Sequence, residues 1–333
     1  MSRLPFAAQD PVAAESFRHE AFLYSGDEHF VAGTSAFVQG ALEADEAVLV
    51  AVVEPRATLL RDALGRDAEQ VRFLDMETVG RNPARIIPAW QDWVDRHASD
   101  ARGFRGIGEP IWAGRTPSEV AECQQHEVLL NTAFDDGPGW WLLCPYDVAA
   151  LAGPVIERVH AAHPNVFVDD VRTPSASYPH NGVGAGSRSG FGPAFDEPLE
   201  EPPGPVWEIF FDLASLGELR DRVAEFAEFA DPAVDKRGTD NAVLVVSELA
   251  ANSIKYGGGA GILRLWRDGL SLVCEVRDDG VITDPLAGRR RPSVLVGGKA
   301  GLWIANQVCD LLQIRSAPGR GTTVRARLGI TGH

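Results

Sequence analysis

Hydrophobic positions follow two different patterns along the chain. In the first half, short and nearly continuous apolar runs alternate with segments of helical spacing. The apolar runs occupy 47–53, 71–75, 104–109 and 140–144, and the helical segments occupy 55–64, 83–98 and 117–133. Continuous apolar runs are typical of strands buried on both faces, and strand–helix alternation is typical of a parallel sheet. We therefore predict an α/β domain, with helices on both faces of a mainly parallel sheet.

The pattern changes in the last third of the chain. The predicted elements there are a strand at 207–212, helices at 215–230 and 239–256, a hairpin over 261–278, a helix at 302–310, and strands at 311–317 and 322–328. Asp268-Gly269 is a strong hairpin-turn signal, and Ser215 and Glu218 have the spacing of a capping box. Residues 322–328 alternate in a way that is typical of a half-buried strand with one basic face. This part is predicted to be an α+β sandwich, with helices on one side of an antiparallel-rich sheet.

Residues 173–205 separate the two patterns. Proline, glycine and serine dominate this segment, and its end is acidic. Such a composition cannot bury enough apolar surface to offset the entropy lost on ordering. We interpret the segment as a flexible linker, so the predicted division of the chain is 1–172, 173–205 and 206–333.

Composition narrows the classes of function. The chain has 333 residues, 45% of them hydrophobic, and a formal net charge of −16, which argues against unaided binding to nucleic acid or to an anionic membrane. No apolar run approaches the ~20 residues of a membrane span, and the first 15 residues lack the apolar stretch of a secretory signal. We therefore expect a cytoplasmic protein. The four cysteines form no C-x-x-C pair, so their spacing indicates neither a disulfide framework nor a zinc site.

Glu248 and Asn252 lie one helical turn apart near the end of the predicted helix 239–256. On a helical wheel both fall beside the stripe expected to be buried, which contains Ala242, Val246, Leu249 and Ser253. An amide oxygen can ligate Mg²⁺, and a carboxylate can accept a proton from an attacking hydroxyl. The same two residues also fit a solvated polar face that ends at a glycine C-cap.

Three further segments carry chemistry suited to a nucleotide. Asp278 ends a strand, where its carboxylate can accept a hydrogen bond from an exocyclic amine, and Gly280 lets a flat ring approach the backbone. The glycine-rich loop that begins at 297 runs into a helix, whose free amides are suited to a phosphate. The segment GRGTTV, 319–324, supplies hydroxyl groups.

Residues 207–328 resemble the GHKL ATP-binding fold, which is shared by histidine kinases, gyrase-type ATPases and anti-sigma serine kinases. SELAANSIKYG resembles the N box, VRDDG the first glycine box, GGKAGLWIAN the second and GTTV the third. The resemblance implies a GHKL α/β sandwich that binds ATP and Mg²⁺, with Glu248 as general base, Asn252 as Mg²⁺ ligand and Asp278 at the adenine. The rest of the implied nucleotide-binding set is Lys255, Gly280, Gly298, Lys299, Gly301, Leu302, Thr322 and Thr323.

Two positions depart from the family pattern. Ile282 stands where the first glycine box normally has its second glycine, and Lys299-Ala300-Gly301 replaces a plain G-x-G in the second box. Both departures fall in the lid over the nucleotide, so we expect altered lid geometry. The basic run 289–291 lies in the same lid and fits either a phosphate contact or a solvated cluster.

Histidine positions distinguish between members of this family. A histidine kinase needs an acceptor histidine on a dimerising helix, but His180 lies in the linker and only His333 follows it. The first two helices of the domain resemble those of anti-sigma serine kinases, which bind a sigma factor and phosphorylate a serine of a small anti-anti-sigma (STAS-type) protein. The resemblance therefore implies a serine/threonine kinase with a role in transcription regulation. A homodimer is compatible with it.

The N-terminal domain, over about 17–165, resembles the MEDS family of sensory domains, which are related to RecA/KaiC-like folds. The segments that carry the resemblance are FRHEAFLYSGDEHFVAG, GRNPARIIPAW, GEPIW, HEVLLNTAF and CPYD. The chain has no G-x-x-x-x-G-K-[ST] motif, which fits a sensor that no longer hydrolyses nucleotide. Candidate ligand residues near strand ends are His19, Tyr24, Glu109, Trp112, Cys144, Tyr146 and Asp147. Trp112 and Cys144 also fit places in the core.

Together these patterns predict a signalling regulator whose sensory domain controls an ATP-binding anti-sigma kinase domain. Three alternatives stay open: a non-catalytic module that sequesters a sigma factor, a histidine-kinase-like protein with an acceptor supplied in trans, and a metabolic enzyme in the N-terminal domain. A flexible tether transmits little strain. The signal is therefore expected to pass by domain contact or by a changed effective concentration.

Overall fold

The computed structural model describes residues 16–98, 103–179, 197–230, 234–292 and 300–329. They belong to two compact units, which divide between residues 183 and 184. No helix within these ranges is both long and apolar enough to cross a membrane. Of the predicted linker, residues 180–196 lie outside the described residues.

The N-terminal unit is built on a sheet of seven described strands. They are β1 (Arg18–Tyr24), β2 (Ala47–Val52), β3 (Val71–Asp75), β4 (Phe104–Gly108), β5 (Trp141–Asp147), β6 (Asn165–Val168) and β7 (Val171–Pro174). Their order is β3-β2-β4-β5-β1-β6-β7. Neighbouring strands pair in parallel except for the edge pair β6–β7. The prediction of a mainly parallel sheet is confirmed.

Helices cover both faces of this sheet. They are α1 (Gly26–Glu43), α2 (Glu54–Leu64), α3 (Met76–Val79), α4 (Ile86–His97), α5 (Pro117–Ala133) and α6 (Gly153–Ala162). On one face, Phe22 of β1 shares a core with Phe30 of α1 and Leu60 of α2. On the other face, the ring of Trp90 in α4 packs so close to Gly106 of β4 that a Cβ there would lie 2.6 Å from it.

The hydrophobic pattern did not predict β1, which lies between β5 and β6 in the sheet. This strand begins with polar side chains, yet His19 and Glu20 are only 2% and 1% exposed. Glu20 Oε1 accepts hydrogen bonds from Nη2 and Nε of Arg172 on β7, at 2.6 and 2.8 Å. The Arg172 partner of Glu20 is 152 residues away and the hydrogen-bonding partners of His19 are at least 108 residues away, so the local sequence does not show that the strand is internal.

The C-terminal unit has five described strands and three described helices. The strands are β8 (Trp207–Asp212), β9 (Ala260–Asp268), β10 (Ser271–Asp278), β11 (Leu311–Ala317) and β12 (Gly321–Gly329). The helices are α7 (Leu216–Phe229), α8 (Lys236–Tyr256) and α9 (Gly301–Val308). The strand order is β11-β12-β10-β9-β8, and all the pairs are antiparallel. This is the predicted GHKL-like α/β sandwich.

One core joins the three helices to one face of this sheet. It contains Val223 of α7, Val245 of α8, Ala305 of α9, and strand residues such as Leu265 and Val324. The stripe predicted to be buried on α8 is confirmed, because each of its members is at most 2% exposed. Because this stripe of α8 packs on the sheet, the positions of Glu248 and Asn252 beside it are fixed.

The predicted capping box at Ser215 and Glu218 is wrong. Ser215 has a helical backbone, with φ −93° and ψ −1°, and its side chain makes no cap hydrogen bond. Its hydroxyl oxygen instead accepts from the backbone N–H of Asp212 at 2.9 Å. A complete capping box opens α5, where Thr116 and Glu119 satisfy each other's backbone amides.

The basic face of β12 is more buried at its centre than the half-buried pattern predicts. Arg325 is 7% exposed, and its Nε donates to Glu275 Oε2 at 2.7 Å. Glu275 is fully buried and also accepts from Arg264 Nη1 and Arg277 Nε, each at 2.8 Å. A buried carboxylate needs such charged partners, so Arg325 is buried at the centre of this face, while Thr323 and Arg327 on either side of it are half-buried.

Segments next to the undescribed part of the linker have defined places. Strand β7 ends at Pro174, just inside the predicted linker. At the other end, Glu201 accepts hydrogen bonds from Arg264 Nη2 at 2.8 Å and from Arg277 Nη2 at 3.0 Å. The Glu200 carbonyl accepts from Arg325 at 2.8 Å. Residues 200 and 201 therefore lie on the face of the C-terminal sheet opposite its helices.

Candidate functional site

The end of α8 meets the start of α9 at Gly301. A Cβ placed at residue 301 would lie 2.9 Å from Asn252 Nδ2 and 3.0 Å from Glu248 Oε2. Only a residue without a side chain lets the two helices approach this closely without displacing these polar groups. The amide and the carboxylate predicted to act together therefore lie together, beside the positive end of the α9 dipole.

Asp278 is held in a fixed orientation at the end of β10. Its Oδ2 accepts from the Ser253 hydroxyl at 2.6 Å, and its Oδ1 accepts from the Gly280 backbone N–H at 2.9 Å. Gly280 is needed for close approach, because a Cβ there would lie 2.6 Å from the Tyr256 carbonyl oxygen. Each carboxylate oxygen keeps a lone pair with which to accept from a ligand.

A chain of hydrogen bonds ties the segment after Asp278 to the last two strands. Thr322 Oγ1 donates to the Gly280 carbonyl at 2.8 Å, and it lies 2.7 Å from Ser316 Oγ. Because the Thr322 proton is used at Gly280, Ser316 donates to Thr322. Ser316 in turn accepts from the Ile282 N–H at 2.9 Å. The position that departs from the glycine-box pattern is thus anchored through its backbone.

A cavity of about 480 Å³ lies beside these groups, within the size range of small-molecule sites. Its apolar lining comes from Leu249, Val276, Ile282, Leu286, Leu302 and Val324. Its polar lining includes Asn252, Asp278 and Thr322. A flat apolar ring could therefore be buried with its polar edge toward Asp278, while Asn252 remains available to charged groups.

The other predicted nucleotide-site residues are divided. Gly280 and Leu302 line the cavity, whereas Thr323 lines a separate hollow that is also lined by Arg277 and Arg315. Lys255 is exposed, with Nζ 4.9 Å from the centre of the Tyr256 ring, and it is not part of the cavity lining. Glu248 contacts the Gly301 position without lining the cavity. Gly298 and Lys299 lie outside the described residues.

Several lining residues were not selected from the sequence as nucleotide contacts. Ser253, Tyr256, Asp284 and Ile282 all contribute. Ser253 offered a signal, because a hydroxyl on a stripe expected to be buried needs a partner. In the basic run, Arg290 and Arg291 line the cavity, while Arg289 is 3% exposed and does not. Their place in the cavity lining fits a phosphate contact, and their exposure fits a solvated cluster, so both interpretations of the run stay open.

In the N-terminal unit, Tyr24, Glu109 and Asp147 meet at the carboxyl ends of neighbouring strands. The Tyr24 hydroxyl donates to Glu109 Oε1 at 2.8 Å. Arg56 Nη2 donates to Asp147 Oδ2 at 3.1 Å, and Arg56 Nε lies 3.9 Å from Glu109. Burial raises the pKa of Glu109 to about 7, against the opposing effects of Tyr24 and Arg56. This edge of a parallel sheet is where α/β domains bind ligands.

His19 and Tyr146 belong to a different cluster, on the other face of β1 and β5. His19 Nε2 lies 3.1 Å from Glu127 Oε2 and 3.4 Å from Cys144 Sγ. Tyr146 is fully buried, with its ring centre 5.6 Å from that of His163, and burial raises the pKa of its hydroxyl far above the usual value. The sensory candidates therefore form two clusters rather than one. Trp112 is half-buried beneath the Arg115 guanidinium.

These features define the class of protein. The C-terminal unit is a GHKL-like α/β domain with a cavity between its helices and its glycine-rich turns, and it follows a mainly parallel α/β domain on the same chain. Comparison with family models makes both assignments specific. Residues 18–164 match the MEDS model (methanogen/methylotroph, DcmR sensory domain), and residues 210–328 match the histidine kinase-like ATPase domain.

The chain therefore carries an N-terminal MEDS domain and a C-terminal histidine kinase-like ATPase domain, as the sequence resemblances predicted. The search of curated proteins found no match. An ATP-binding, kinase-like regulator with a sensory domain follows from this combination.

Proposed function

We propose that this protein is an anti-sigma factor that uses ATP to phosphorylate a serine of a STAS-type anti-anti-sigma partner, under control of its sensory domain. One observation supports this most directly: Glu248 and Asn252 lie together against the first residue of α9. A base, an oxygen ligand for a metal and a phosphate-binding helix terminus are the parts that phosphoryl transfer requires.

The residues of the site fit Mg²⁺ and ATP. Asn252 offers an amide oxygen, and Mg²⁺ prefers oxygen ligands, while the N-terminus of α9 favours the negative charge of phosphates. Asp278 would accept a hydrogen bond from the exocyclic amine of adenine. In the transfer, the serine oxygen bonds to the γ-phosphorus as the bond to ADP breaks, and Glu248 accepts the proton of the serine hydroxyl.

Serine is favoured over histidine as the acceptor. The two helices that open the ATPase domain carry no histidine, and after the linker the chain has only His333. A site that needs only aligned Mg·ATP, one base and an incoming hydroxyl is sufficient for a serine. The sigma factor and the partner serine protein are therefore the macromolecular ligands of this proposal.

The test uses the full chain and labelled ATP. Candidate partners are recovered from native extract and identified by mass spectrometry. Each is then incubated with the protein and labelled ATP, beside a matched partner in which the acceptor serine is alanine. We expect acid-stable label on the partner and none on the alanine control. Acid-labile label would identify a histidine acceptor instead, and it would overturn the proposal.

A second candidate function rests on Ile282. A bulky side chain replaces a lid glycine there, and its backbone is bonded to Ser316. A lid held in this way is compatible with a domain that binds ATP and a sigma factor without turnover. Stable ATP binding with no label on any recovered partner would favour this non-catalytic function.

A further inference from the structure

Four buried side chains with metal-ligating atoms converge inside the MEDS domain. They are His19 on β1, Glu127 on α5, Cys144 on β5 and His163, which follows α6 directly. None is more than 2% exposed. Their ligating atoms all lie within 4.8 Å of one another. The four residues come from four separate elements, and they lie apart from the cluster around Glu109.

The His163 ring has a defined tautomer. Its Nδ1 lies 2.8 Å from the Val159 carbonyl oxygen. A carbonyl can only accept, so Nδ1 carries the hydrogen and Nε2 has a free lone pair in the neutral ring. That Nε2 lies 3.0 Å from Glu127 Oε2. In the neutral ring, two atoms that can only accept therefore face each other.

His19 shows the same arrangement. Its Nδ1 lies 3.2 Å from Asn131 Oδ1. The orientation of the Asn131 amide is set by its Nδ2, which donates to the Ala162 carbonyl at 2.9 Å. Nδ1 of His19 therefore carries the hydrogen, and the lone pair of Nε2 points toward Glu127 and Cys144, at 3.1 and 3.4 Å. A ring nitrogen bonded to an oxygen acceptor is the usual support of a metal-ligating histidine.

Two lone pairs that point at one carboxylate need a positive centre between them. Among the described residues, the second oxygen of Glu127, Oε1, is buried and accepts no hydrogen bond. A cation would satisfy all of these groups at once.

The spacing of the cluster fits a tetrahedral metal. Metal–ligand distances of about 2.0–2.3 Å place tetrahedral ligands roughly 3.3–3.7 Å apart. The contacts of 3.0, 3.1 and 3.4 Å among His163, His19, Glu127 and Cys144 are already close to this spacing, and separations of up to 4.8 Å in the cluster would have to close by about 1 Å. We propose that His19, Glu127, Cys144 and His163 form a closed, four-coordinate site for a Zn²⁺-class metal in the sensory domain.

The donor set indicates which metals fit. Two imidazoles and a thiolate favour Zn²⁺ or a similar transition metal over Mg²⁺ and Ca²⁺, which prefer oxygen ligands. Four protein ligands without an open position are typical of structural zinc. Such a metal would join the sheet to α5 and to the end of α6. The metal would deprotonate Cys144, whose pKa burial otherwise raises well above its usual value.

The test uses untagged full-length protein, so that no added histidines bind metal. After chelation, Zn²⁺ is returned and its content is measured by elemental mass spectrometry. Co²⁺ is added in a parallel sample, because a thiolate ligand gives it an intense near-ultraviolet absorption band. We expect one tightly bound metal per chain and a thiolate–cobalt band in the unaltered protein. This part of the test does not depend on the folding of any variant.

Matched variants then test the ligands. Cys144→Ala should lose the cobalt band, whereas Cys123→Ala, which removes another fully buried thiol of the same domain, should retain it. Asn131→Leu removes the support of His19 and should weaken Zn²⁺ binding about 10–100-fold. Absence of stoichiometric metal from the full-length protein, or retention of the cobalt band in Cys144→Ala, would overturn the site. In that case the cluster is held by a shared proton.

Discussion

At the scale of single residues, close packing and hydrogen bonds fix the positions of the side chains at the ATPase site. Glu248 and Asn252 face a helix start at Gly301, where any side chain would displace their polar groups. Asp278 has both of its oxygens oriented by hydrogen bonds from Ser253 and Gly280. A group that is oriented before the ligand arrives loses little entropy on binding. Small changes at these residues should therefore alter chemistry more than stability.

Glu248→Gln tests the role of the carboxylate in transfer. The amide keeps the shape of the side chain but cannot accept a proton, so serine phosphorylation should slow by ~10²–10⁴-fold. Calorimetric affinity for ATP should stay close to that of the unaltered protein, because Glu248 does not line the cavity. Glu218→Gln, on the exposed face of α7, is the control and should leave the rate unchanged. Full transfer activity in Glu248→Gln would show that Glu248 is not the general base.

Glu109→Gln tests the buried carboxyl of the sensory domain. Its pKa in the folded protein is about 7, above the ordinary value of 4.5, so the folded state binds more protons than the unfolded state between these values. The contribution of Glu109 to stability is therefore complete below pH 4.5 and is lost as pH rises through 7, by up to about 3 kcal/mol. In Glu109→Gln this loss should disappear.

Unfolding by denaturant at several pH values measures the effect. The stability of Glu109→Gln relative to the unaltered protein should rise between pH 4.5 and 7, and it should be constant below that range. Glu54→Gln, an exposed change on α2 next to Arg61, is the control for loss of a surface charge. Parallel pH profiles for Glu109→Gln and the unaltered protein would show that Glu109 titrates normally.

At the scale of elements, the C-terminal sheet is unusual in its second face. Strands β9, β10 and β12 direct Arg264, Glu275 and Arg325 to one side, where they form a buried charged layer. Trp266 lies beneath it, with its ring centre 5.0 Å from the Arg325 guanidinium carbon. Such a layer stabilises the sheet only while every charge has its partner.

Glu275→Ala should destabilise the ATPase domain strongly. It leaves three arginines without their shared carboxylate, two of them buried, and breaking a buried pair costs about 3–5 kcal/mol. Denaturant unfolding followed by tryptophan fluorescence measures this. Glu225→Ala removes a carboxylate that pairs with Arg222 at the surface, so it should cost no more than about 1 kcal/mol. An equal loss in the free energy of unfolding for the two changes would show that the buried charged layer contributes no more to stability than a surface ion pair.

The hydrophobic pattern predicted most elements to within a few residues. Strands such as β8 and β11 agree with the predicted bounds because their apolar residues alternate or cluster between clear turn signals. The pattern did not predict strand β1, because its residues His19 and Glu20 are polar yet buried. Strand β6 and the edge strand β7 are only four residues long, and a pattern that short has no period to recognise.

The site of the ATPase domain could be predicted from the sequence, whereas the buried cluster of the sensory domain could not. Glu248, Asn252, Asp278 and Gly280 lie within local motifs, so their residue order already indicated a shared purpose. The cluster in the sensory domain joins His19 to Glu127 across 108 residues. Its partner His163 lies in none of the segments that carried the MEDS resemblance. Such long-range convergence depends on the strand order, which the local sequence does not specify.

At the scale of the whole molecule, each of the two units has its own hydrophobic core and its own cluster of functional groups. The ATPase unit also includes residues before its first strand, because Glu200 and Glu201 bond to the sheet. The unit that folds is therefore longer at its N-terminus than the family match, which begins at residue 210.

Two fragments of the chain test this boundary. Fragments 197–333 and 206–333 contain the same core, but the shorter one lacks the hydrogen bonds of Glu200 and Glu201 to Arg264, Arg277 and Arg325. We expect the shorter fragment to be less stable by about 1–2 kcal/mol, since exposed ion pairs contribute little each. Denaturant midpoints measure the difference. Identical midpoints would place residues 197–205 outside the folded unit.

The first turn of α9 has a practical consequence. Trp303 lies two residues after Gly301, half-buried in that turn, close in sequence to the point where Glu248 and Asn252 approach the helix. Indole emission responds to local charge and to water. Under the proposed function, we therefore expect ATP to change the emission of Trp303, measured against the signal of the other seven tryptophans in a Trp303→Phe control.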